Sequence, residues 1–210
     1  MADLEFFWDP VCPWAWLTSR WVVNVTQERP MDVDWKFIAL RIVNKDRDYA
    51  TEFRPGYERG HTRGLELLRV AAAAREELGR DAVLPLYTAF GTAIHHEQDR
   101  ERFDDPAGVR GVLESLGYPL ELGEAALSTE RDDVIAAETQ EALDRCGGNI
   151  GTPVLSFTPP DGPSFFGPVI NKAPKGHEAV ELWEAVIALG GNPHFSELKR
   201  STRGRPQFDV

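Results

Sequence analysis

The first forty residues switch from one hydrophobic period to another and back, and this constrains the fold more than any other feature. The aromatic run Leu4–Trp8 is typical of a buried strand. From Trp14 to Val25, apolar residues recur at spacings of three and four, which predicts an amphipathic helix. Residues 33–40 alternate and then run apolar, which predicts a second strand. Because a helix joins the two strands, we expect them to be parallel, with a right-handed connection.

The rest of the chain divides into a helical part and a second strand-rich part. Residues 41–60 are polar and are predicted to form a loop, and residues 61–148 show a helical period almost throughout. The strand period returns at 153–157 and 164–166, and a last helix follows. Since a two-stranded sheet is marginal by itself, we expect the strands from both ends of the chain to share one sheet. The helical part would then be inserted between them as a lid.

The charge and cysteine content exclude several classes of function. The 210 residues include 23 basic and 34 acidic ones, a net charge of -11, so we expect no nucleic-acid partner. No apolar run approaches the roughly 20 residues of a membrane span, and the acidic N-terminus lacks the basic start of a secretion signal. Two cysteines cannot form a disulfide scaffold. We therefore expect a cytoplasmic protein, in which a thiol is catalytic, redox-active or part of the core rather than a cross-link.

Cys12 carries the clearest chemical signal. It follows the first predicted strand and precedes Pro13, which suits the first turn of a helix. A thiol at this place meets unpaired backbone N–H groups and the positive end of the helix dipole, and both favour the thiolate. We therefore predict that Cys12 is a nucleophile with a lowered pKa. The alternative is a small buried hydrophobic residue.

A second signal is Thr152-Pro153, which precedes the strand that follows the helical part. A proline is permitted at the first residue of a strand, so the pair alone is compatible with an ordinary strand start. Considered together with Cys12, it suggests a cis peptide bond that turns the Thr152 backbone toward an incoming disulfide or thiol. X-Pro bonds are cis in only about 5–6% of cases, so this expectation is specific.

These segments resemble the DsbA-like thioredoxin-fold family, and within it the actinobacterial mycothiol-dependent nitroreductase group. The resemblance rests on the helical insertion and on FFWDPVCPW at 6–14, GTP at 151–153, FFGPV at 165–169, PHF at 193–195 and ELKR at 197–200. It implies an α/β, thioredoxin-like fold, with residues 1–60 and 149–210 as the thioredoxin-like domain and residues 61–148 as a large all-helical insertion. It also implies a Cys-Pro-Trp-Cys site, a cis-proline loop and reduction by a low-molecular-weight thiol such as mycothiol, with no bound cofactor.

The chain departs from that family's motif at Ala15, where the family has its second cysteine. The motif Cys12-Pro13-Trp14-Ala15 cannot close its own disulfide, so an external thiol must release Cys12. The other interpretation is that the alanine is an engineered replacement that traps an intermediate, and the sequence does not decide between the two. Cys146, at a predicted helix end, matches no cysteine of the motif, and we predict that it is structural.

Three further residues are candidates for the ligand site beside Thr152 and Pro153. Asn44 resembles an Asn that the related group carries after its second strand, and its alternative is a turn residue. Tyr57 lies in the same polar loop, and its alternative is a surface aromatic. Trp14 flanks the thiol, where it would stack on an aromatic substrate or else pack in the core as part of the helical stripe.

No metal site is predicted. His95 and His96 are adjacent and therefore face different directions on a helix, and no cysteine or carboxylate spacing completes a tetrahedral site with His61. We interpret all three as solvated residues at helix ends.

The sequence thus predicts a thiol-disulfide oxidoreductase, monomeric or homodimeric, that acts on a disulfide or a small electrophile, with nitroaromatic compounds implied by the resemblance. One alternative is the related glutathione-dependent isomerase or transferase branch, in which the protein activates a bound thiol cofactor without forming a disulfide. The other is a non-catalytic small-molecule binder that lost its resolving cysteine. The pKa of Cys12 distinguishes the enzyme hypotheses from the binder hypothesis, because an enzyme needs a thiolate near neutral pH and a binder does not.

Overall fold

The structure, a computed structural model, describes residues 2–148, 150–200 and 204–208. Its regular elements follow the order that the sequence periods predict. The strands are β1 (Leu4–Trp8), β2 (Val33–Phe37), β3 (Val154–Phe157) and β4 (Ser164–Phe166). The helices are α1 (Pro13–Glu28), α2 (Leu40–Val43), α3 (Tyr49–Glu52), α4 (Tyr57–Leu78), α5 (Val83–Gly91), α6 (Pro106–Leu116), α7 (Asp132–Cys146) and α8 (Gly176–Gly190).

The four strands form one sheet in the order β2-β1-β3-β4. β1 pairs with β2 in parallel, with Phe6 opposite Trp35, and it pairs with β3 in the antiparallel sense, with Phe6 opposite Leu155. β3 and β4 are also antiparallel. The predicted parallel pair and the predicted sharing of one sheet by residues from both ends of the chain are therefore confirmed.

Each face of the sheet is covered by helices. Leu4, Phe6 and Trp8 point to one face and join a core with residues of α1 and α8, in which the Trp21 ring lies 5.6 Å from that of Trp183. Phe7 points to the other face and packs with Ala142 of α7. A sheet covered on both sides buries its polar backbone, so the ends of its strands are the places where side chains can be presented to a ligand.

The central helix of the helical part is α4, and it contributes to two cores. Leu68, Ala71 and Ala72 pack in the core of the sheet, whereas Leu67 and Val70 pack with α5 and α6 in a second core. This division follows from the helical period, which places neighbouring residues on different faces. The helical part is therefore packed continuously against the sheet.

Several local predictions need correction. The polar stretch 41–60 contains two one-turn helices and the start of α4, because its polar residues cap short helices: the Asp48 side chain accepts the Ala50 N–H at the start of α3. Within the stretch 61–148, for which a helical period is predicted, Leu120–Leu127 form a 3₁₀ helix rather than an α-helix. The helix that includes His95 and His96 ends in a turn of π-helix, Thr92–His96.

Candidate active site

Cys12 caps the N-terminus of α1. Its backbone is extended, with φ -80° and ψ 113°, and Pro13 occupies the first helical position, as the sequence predicts. The Cys12 Sγ atom accepts the Ala15 N–H at 3.5 Å, and the thiol donates to the Thr152 carbonyl at 3.3 Å. Only 6% of Cys12 is exposed, and Ala15 is fully buried. The thiol therefore lies between a helix N-terminus and the loop before β3.

That loop is held in place by the backbone around it. The Thr152-Pro153 peptide bond is cis, which is the geometry expected from the sequence. The Thr152 hydroxyl donates to the Phe7 carbonyl at 3.2 Å, and the Pro153 carbonyl accepts the Gly167 N–H at 2.9 Å. Thr152 is thus fixed from β1 on one side and from the segment after β4 on the other, with its carbonyl directed to the Cys12 thiol.

The predicted lowering of the Cys12 pKa is wrong for this structure. Burial is the main cause that raises the pKa of Cys12 to about 12, and the negative charge of Asp9 contributes in the same direction. The N–H groups of Ala15 and Trp14 act in the opposite direction but do not offset the loss of hydration. The sequence reveals the helix N-terminus but not how deeply Cys12 is buried, and burial decides whether the pKa of Cys12 rises or falls. Cys12 is a thiol in this state, so the free protein does not meet the condition of a thiolate near neutral pH that separates an enzyme from a binder.

Asp9 is the residue of the site that sequence reasoning missed. It lies at the end of β1 and is fully buried, and its two carboxyl oxygens accept the N–H groups of Val11 at 3.0 Å and Leu40 at 2.8 Å. Burial raises its pKa to about 7, against the effect of these two hydrogen bonds. An acidic residue three positions before a candidate nucleophile was the available signal.

The helical part contacts the turn before Cys12 at two points and the end of β1 at a third. A Cβ atom at Gly64 of α4 would lie 2.6 Å from Asp9 Oδ1, so only a glycine permits this approach. His95 Nε2 lies 2.9 Å from the Pro10 carbonyl oxygen. The Tyr87 ring stacks on Trp8, with centroids 4.0 Å apart.

The interpretation of the histidines as solvated is wrong. His95 and His61 are 5% and 7% exposed, and burial lowers the pKa of each to about 4. Both rings have partners, since His61 Nδ1 lies 2.8 Å from the Tyr49 hydroxyl and His95 contacts the backbone of the active-site turn. His96 is half-buried. The sequence offered no contact that would have placed these rings inside.

The remaining predicted site residues are Trp14, Asn44 and Tyr57. Trp14 is half-buried beside Cys12, and the tryptophan of α1 that packs in the core is Trp16. Asn44 Nδ2 donates to the Leu40 carbonyl at 2.8 Å, so its side chain caps α2, which is the predicted alternative. Tyr57 is 45% exposed, and its ring neighbours in the described part of the chain are Phe53 and His61.

Cys146 ends α7 and packs against the buried cluster of Phe7, Ile38, Ala142 and Val154, and burial raises its pKa to about 11. No group of His, Cys, Asp or Glu suited to holding a metal ion is found within residues 2–148, 150–200 and 204–208. Within the same ranges, no helix is both long and apolar enough to cross a membrane.

One family model and one curated relative each match most of the chain. The model of the Rv2466c-like family, described as mycothiol-dependent nitroreductase Rv2466c, matches residues 11–200. The uncharacterised protein Rv2286c of Mycobacterium tuberculosis is 32% identical over 202 residues, which cover 95% of this chain and 82% of that protein.

Two solved structures share the fold at low identity. The cytosolic disulfide reductase DsbM of Pseudomonas aeruginosa has a TM-score of 0.56 and 17% identity, covering 89% of this chain and 98% of that one. A proposed protein disulfide isomerase from Nitrosomonas europaea has a TM-score of 0.55 and 15% identity, covering 87% and 95%. Both confirm the thioredoxin-like α/β fold.

The family match, together with a cysteine at a helix N-terminus of a thioredoxin-like fold, assigns the chain to the thiol-dependent oxidoreductases. Within this class the chain belongs to the Rv2466c-like family of mycothiol-dependent nitroreductases. The resemblance noted in the sequence is confirmed, and Ala15 remains the point at which the chain departs from the two-cysteine motif that the resemblance implies.

Proposed function

We propose that this chain catalyses thiol-disulfide exchange with Cys12 as the single nucleophile and mycothiol as the co-substrate thiol. The observation that carries the proposal is the position of Cys12 Sγ, at the N-terminus of α1 and 3.3 Å from the Thr152 carbonyl oxygen. In the free protein the Cys12 thiol donates a hydrogen bond to that carbonyl. A bound partner whose own N–H group takes the Thr152 carbonyl would free the sulfur at the point where the partner's disulfide lies.

The reaction proceeds in two exchanges that conserve atoms and electrons. The Cys12 thiolate attacks a disulfide R–S–S–R′, which gives a mixed disulfide between Cys12 and R–S and releases R′–S⁻. Because Ala15 has no sulfur, the second exchange comes from outside. A mycothiol thiolate attacks the R sulfur, restores the Cys12 thiolate and leaves as the disulfide with R. Both steps suit a protein of a reducing cytoplasm.

The remaining site residues are proposed to orient the partner. Thr152 and the cis-linked Pro153 present the backbone edge beside the sulfur, and Trp14, half-buried next to Cys12, offers a ring to an aromatic substrate. Tyr57 contributes to a group of rings with Phe53 at the start of α4. Asn44 acts through its cap on α2, the helix whose first N–H binds Asp9.

Nitroaromatic reduction is a second candidate, favoured by the match to the nitroreductase family. With one protein thiol, the two electrons come from Cys12 and from one mycothiol. A nitro group and two thiols then give a nitroso group, water and the Cys12–mycothiol mixed disulfide. A further mycothiol releases Cys12. This chemistry therefore passes through the same adduct as disulfide exchange.

The test is the intact mass of the protein after incubation with oxidised mycothiol and, separately, oxidised glutathione. We expect one mycothiol adduct that maps to Cys12, is lost in Cys12→Ser and is retained in Cys146→Ser. Loss of the adduct on addition of reduced mycothiol, with turnover, distinguishes the enzyme from a binder. An isomerase or transferase that only activates a bound thiol cofactor would form no adduct. That outcome, or an adduct that maps to Cys146, would overturn the proposal.

A further inference from the structure

Asp9 determines the shape of the turn that presents Cys12. Its backbone carbonyl accepts the Cys12 N–H at 3.1 Å, and its side chain accepts the Val11 N–H at 3.0 Å. An Asp at the first position of a turn, followed by Pro10, is a favoured arrangement. The second carboxyl oxygen accepts the Leu40 N–H, which ties the turn to the start of α2. Gly64 closes the space beside this carboxyl group.

Asp9 and Cys12 are therefore two acidic groups, three residues apart, in one buried turn. A second negative charge in such a place lacks the hydration that would stabilise it and repels the first charge through a poorly polarisable medium. The negative charge of Asp9 raises the pKa of Cys12, as expected for two such groups.

The other titratable groups around this turn keep one charge state near neutral pH. Burial raises the pKa of Tyr87, on α5, and that of Tyr49, on α3, above its usual value, so both phenols stay neutral. Burial lowers the pKa values of His61, on α4, and His95 to about 4, so both rings are neutral as well. The nearby guanidinium groups stay positive: Arg20 lies beside Tyr87, and Arg41 lies beside Tyr49 and His61.

We propose that Asp9 is a positioning residue for Cys12 and that the two groups share one negative charge. A Cys12 thiolate then forms as the Asp9 carboxylate takes up a proton, so that the charge moves within the buried turn rather than being added to it. The balance is carboxylate plus thiol giving carboxylic acid plus thiolate, with no net gain or loss of protons. This inference rests on the proposed role of Cys12 as the nucleophile.

Charge sharing predicts an unusual pH profile for Cys12. Below the pKa of Asp9, the thiolate population rises tenfold per pH unit. As Asp9 ionises, the thiolate population stops rising, because each proton removed comes from Asp9 instead of Cys12. The thiolate population rises again only at higher pH. A turn that Asp9 merely holds in shape would show no such plateau.

The test is the rate of Cys12 alkylation by iodoacetamide from pH 5 to pH 9, in a Cys146→Ser background, for the otherwise unchanged protein and for Asp9→Asn. We expect the plateau in the parent and its absence in Asp9→Asn. The ratio of the two rates should be constant below pH 6 and should rise about tenfold by pH 9, the factor for one pKa unit. Tyr49→Phe is the matched control and should keep the plateau.

A rate ratio that is the same at every pH would overturn the proposal, because Asp9→Asn would then only loosen the turn. Should Asp9→Asn fail to fold, the parent decides alone. Its alkylation rate must show the plateau, and a steady tenfold rise per pH unit from pH 5 to pH 9 refutes charge sharing. Alkylation does not require exchange activity. A plateau without a mycothiol adduct would therefore reject the proposed function and leave the coupling intact.

Discussion

The contact between Gly64 and Asp9 predicts opposite effects for the same substitution at two glycines of α4. In Gly64→Ala, the new Cβ atom would lie 2.6 Å from Asp9 Oδ1 and 3.1 Å from both Asp9 Oδ2 and Val11 Cγ2. In Gly60→Ala, one turn earlier, the Cβ atom would meet no atom within 4 Å. Neither glycine has a positive φ, so both sites accept alanine as far as the backbone is concerned.

The magnitudes follow from the two environments. Alanine in place of glycine stabilises a helix by about 0.5–1 kcal/mol, which is the full expectation for Gly60→Ala. At Gly64 this gain is opposed by overpacking, which costs about 1–3 kcal/mol. The carboxyl group cannot simply turn aside, because both oxygens hold a backbone N–H and the loss of one such bond costs about 1.5–3 kcal/mol if Asp9 is charged. Gly64→Ala should therefore be about 1–3 kcal/mol less stable than Gly60→Ala.

Urea unfolding of both variants measures this difference, and thermal unfolding should show the same order, with about 2–4 °C per kcal/mol for a chain of this size. A second readout is Cys12 alkylation at pH 7, which should be faster only in Gly64→Ala, because the turn that covers the thiol is displaced. If the two alanine variants prove equally stabilised, α4 does not press on Asp9, and the assignment of Gly64 as a required close contact is wrong.

Three more predictions test the site and its surroundings. Ala15→Cys places a second sulfur across the first turn of α1 from Cys12. It should release a Cys12 adduct and end internally oxidised, seen by mass after an oxidant pulse, whereas the Ala15 protein keeps the adduct until thiol is added. Gly91→Ala would bring a Cβ atom within 2.2 Å of the Trp16 ring and should lower stability by about 1–3 kcal/mol. Its coupling with Trp16→Leu in a double-mutant cycle should be clearly non-additive, and additive effects would contradict the contact. Because burial raises the folded pKa of Asp9 from 3.8 to about 7, this group favours folding at low pH and loses that contribution as pH rises between those values. The unfolding free energy of the parent relative to Asp9→Asn should therefore be higher at pH 5 than at pH 8, and the reverse order would contradict the buried carboxyl.

The sequence predicts the fold well because each element has its own period. The aromatic run of β1, the stripe of α1 and the alternation of β2 are local signals, and the right-handed connection follows from them. The place of Cys12 is also local, since a cysteine followed by Pro13 after a strand marks a helix N-terminus. The sequence could not show how deeply Cys12 is buried. Burial of Cys12 depends on Thr152, which is 140 residues away along the chain.

The polar contacts of the site were hidden for the same reason. The Asp9 carboxyl binds Leu40, 31 residues later, and His95 reaches the Pro10 carbonyl across 85 residues. A hydrophobic period does not reveal a long-range hydrogen bond of this kind. It shows on which face of a helix or strand a residue lies, but not which residue it contacts there. Gly64 illustrates the limit, since a glycine within a helical pattern suggests a close approach but does not identify the partner.

The contacts from the helical part to the end of β1 and the turn after it predict that the reactivity of Cys12 and the stability of the protein change together. Gly64 presses on Asp9 and His95 binds the Pro10 carbonyl, while Tyr87 stacks on Trp8 at the end of β1, so the turn before Cys12 and the strand that leads into it are held from three positions of the insertion. Substitutions that loosen any of these contacts should expose the thiol and lower stability together, at every pH. A substitution that removes only the charge of Asp9 should instead change the pH dependence of the thiol. The two kinds of variant therefore separate access to Cys12 from its ionisation, and the proposed exchange reaction requires both.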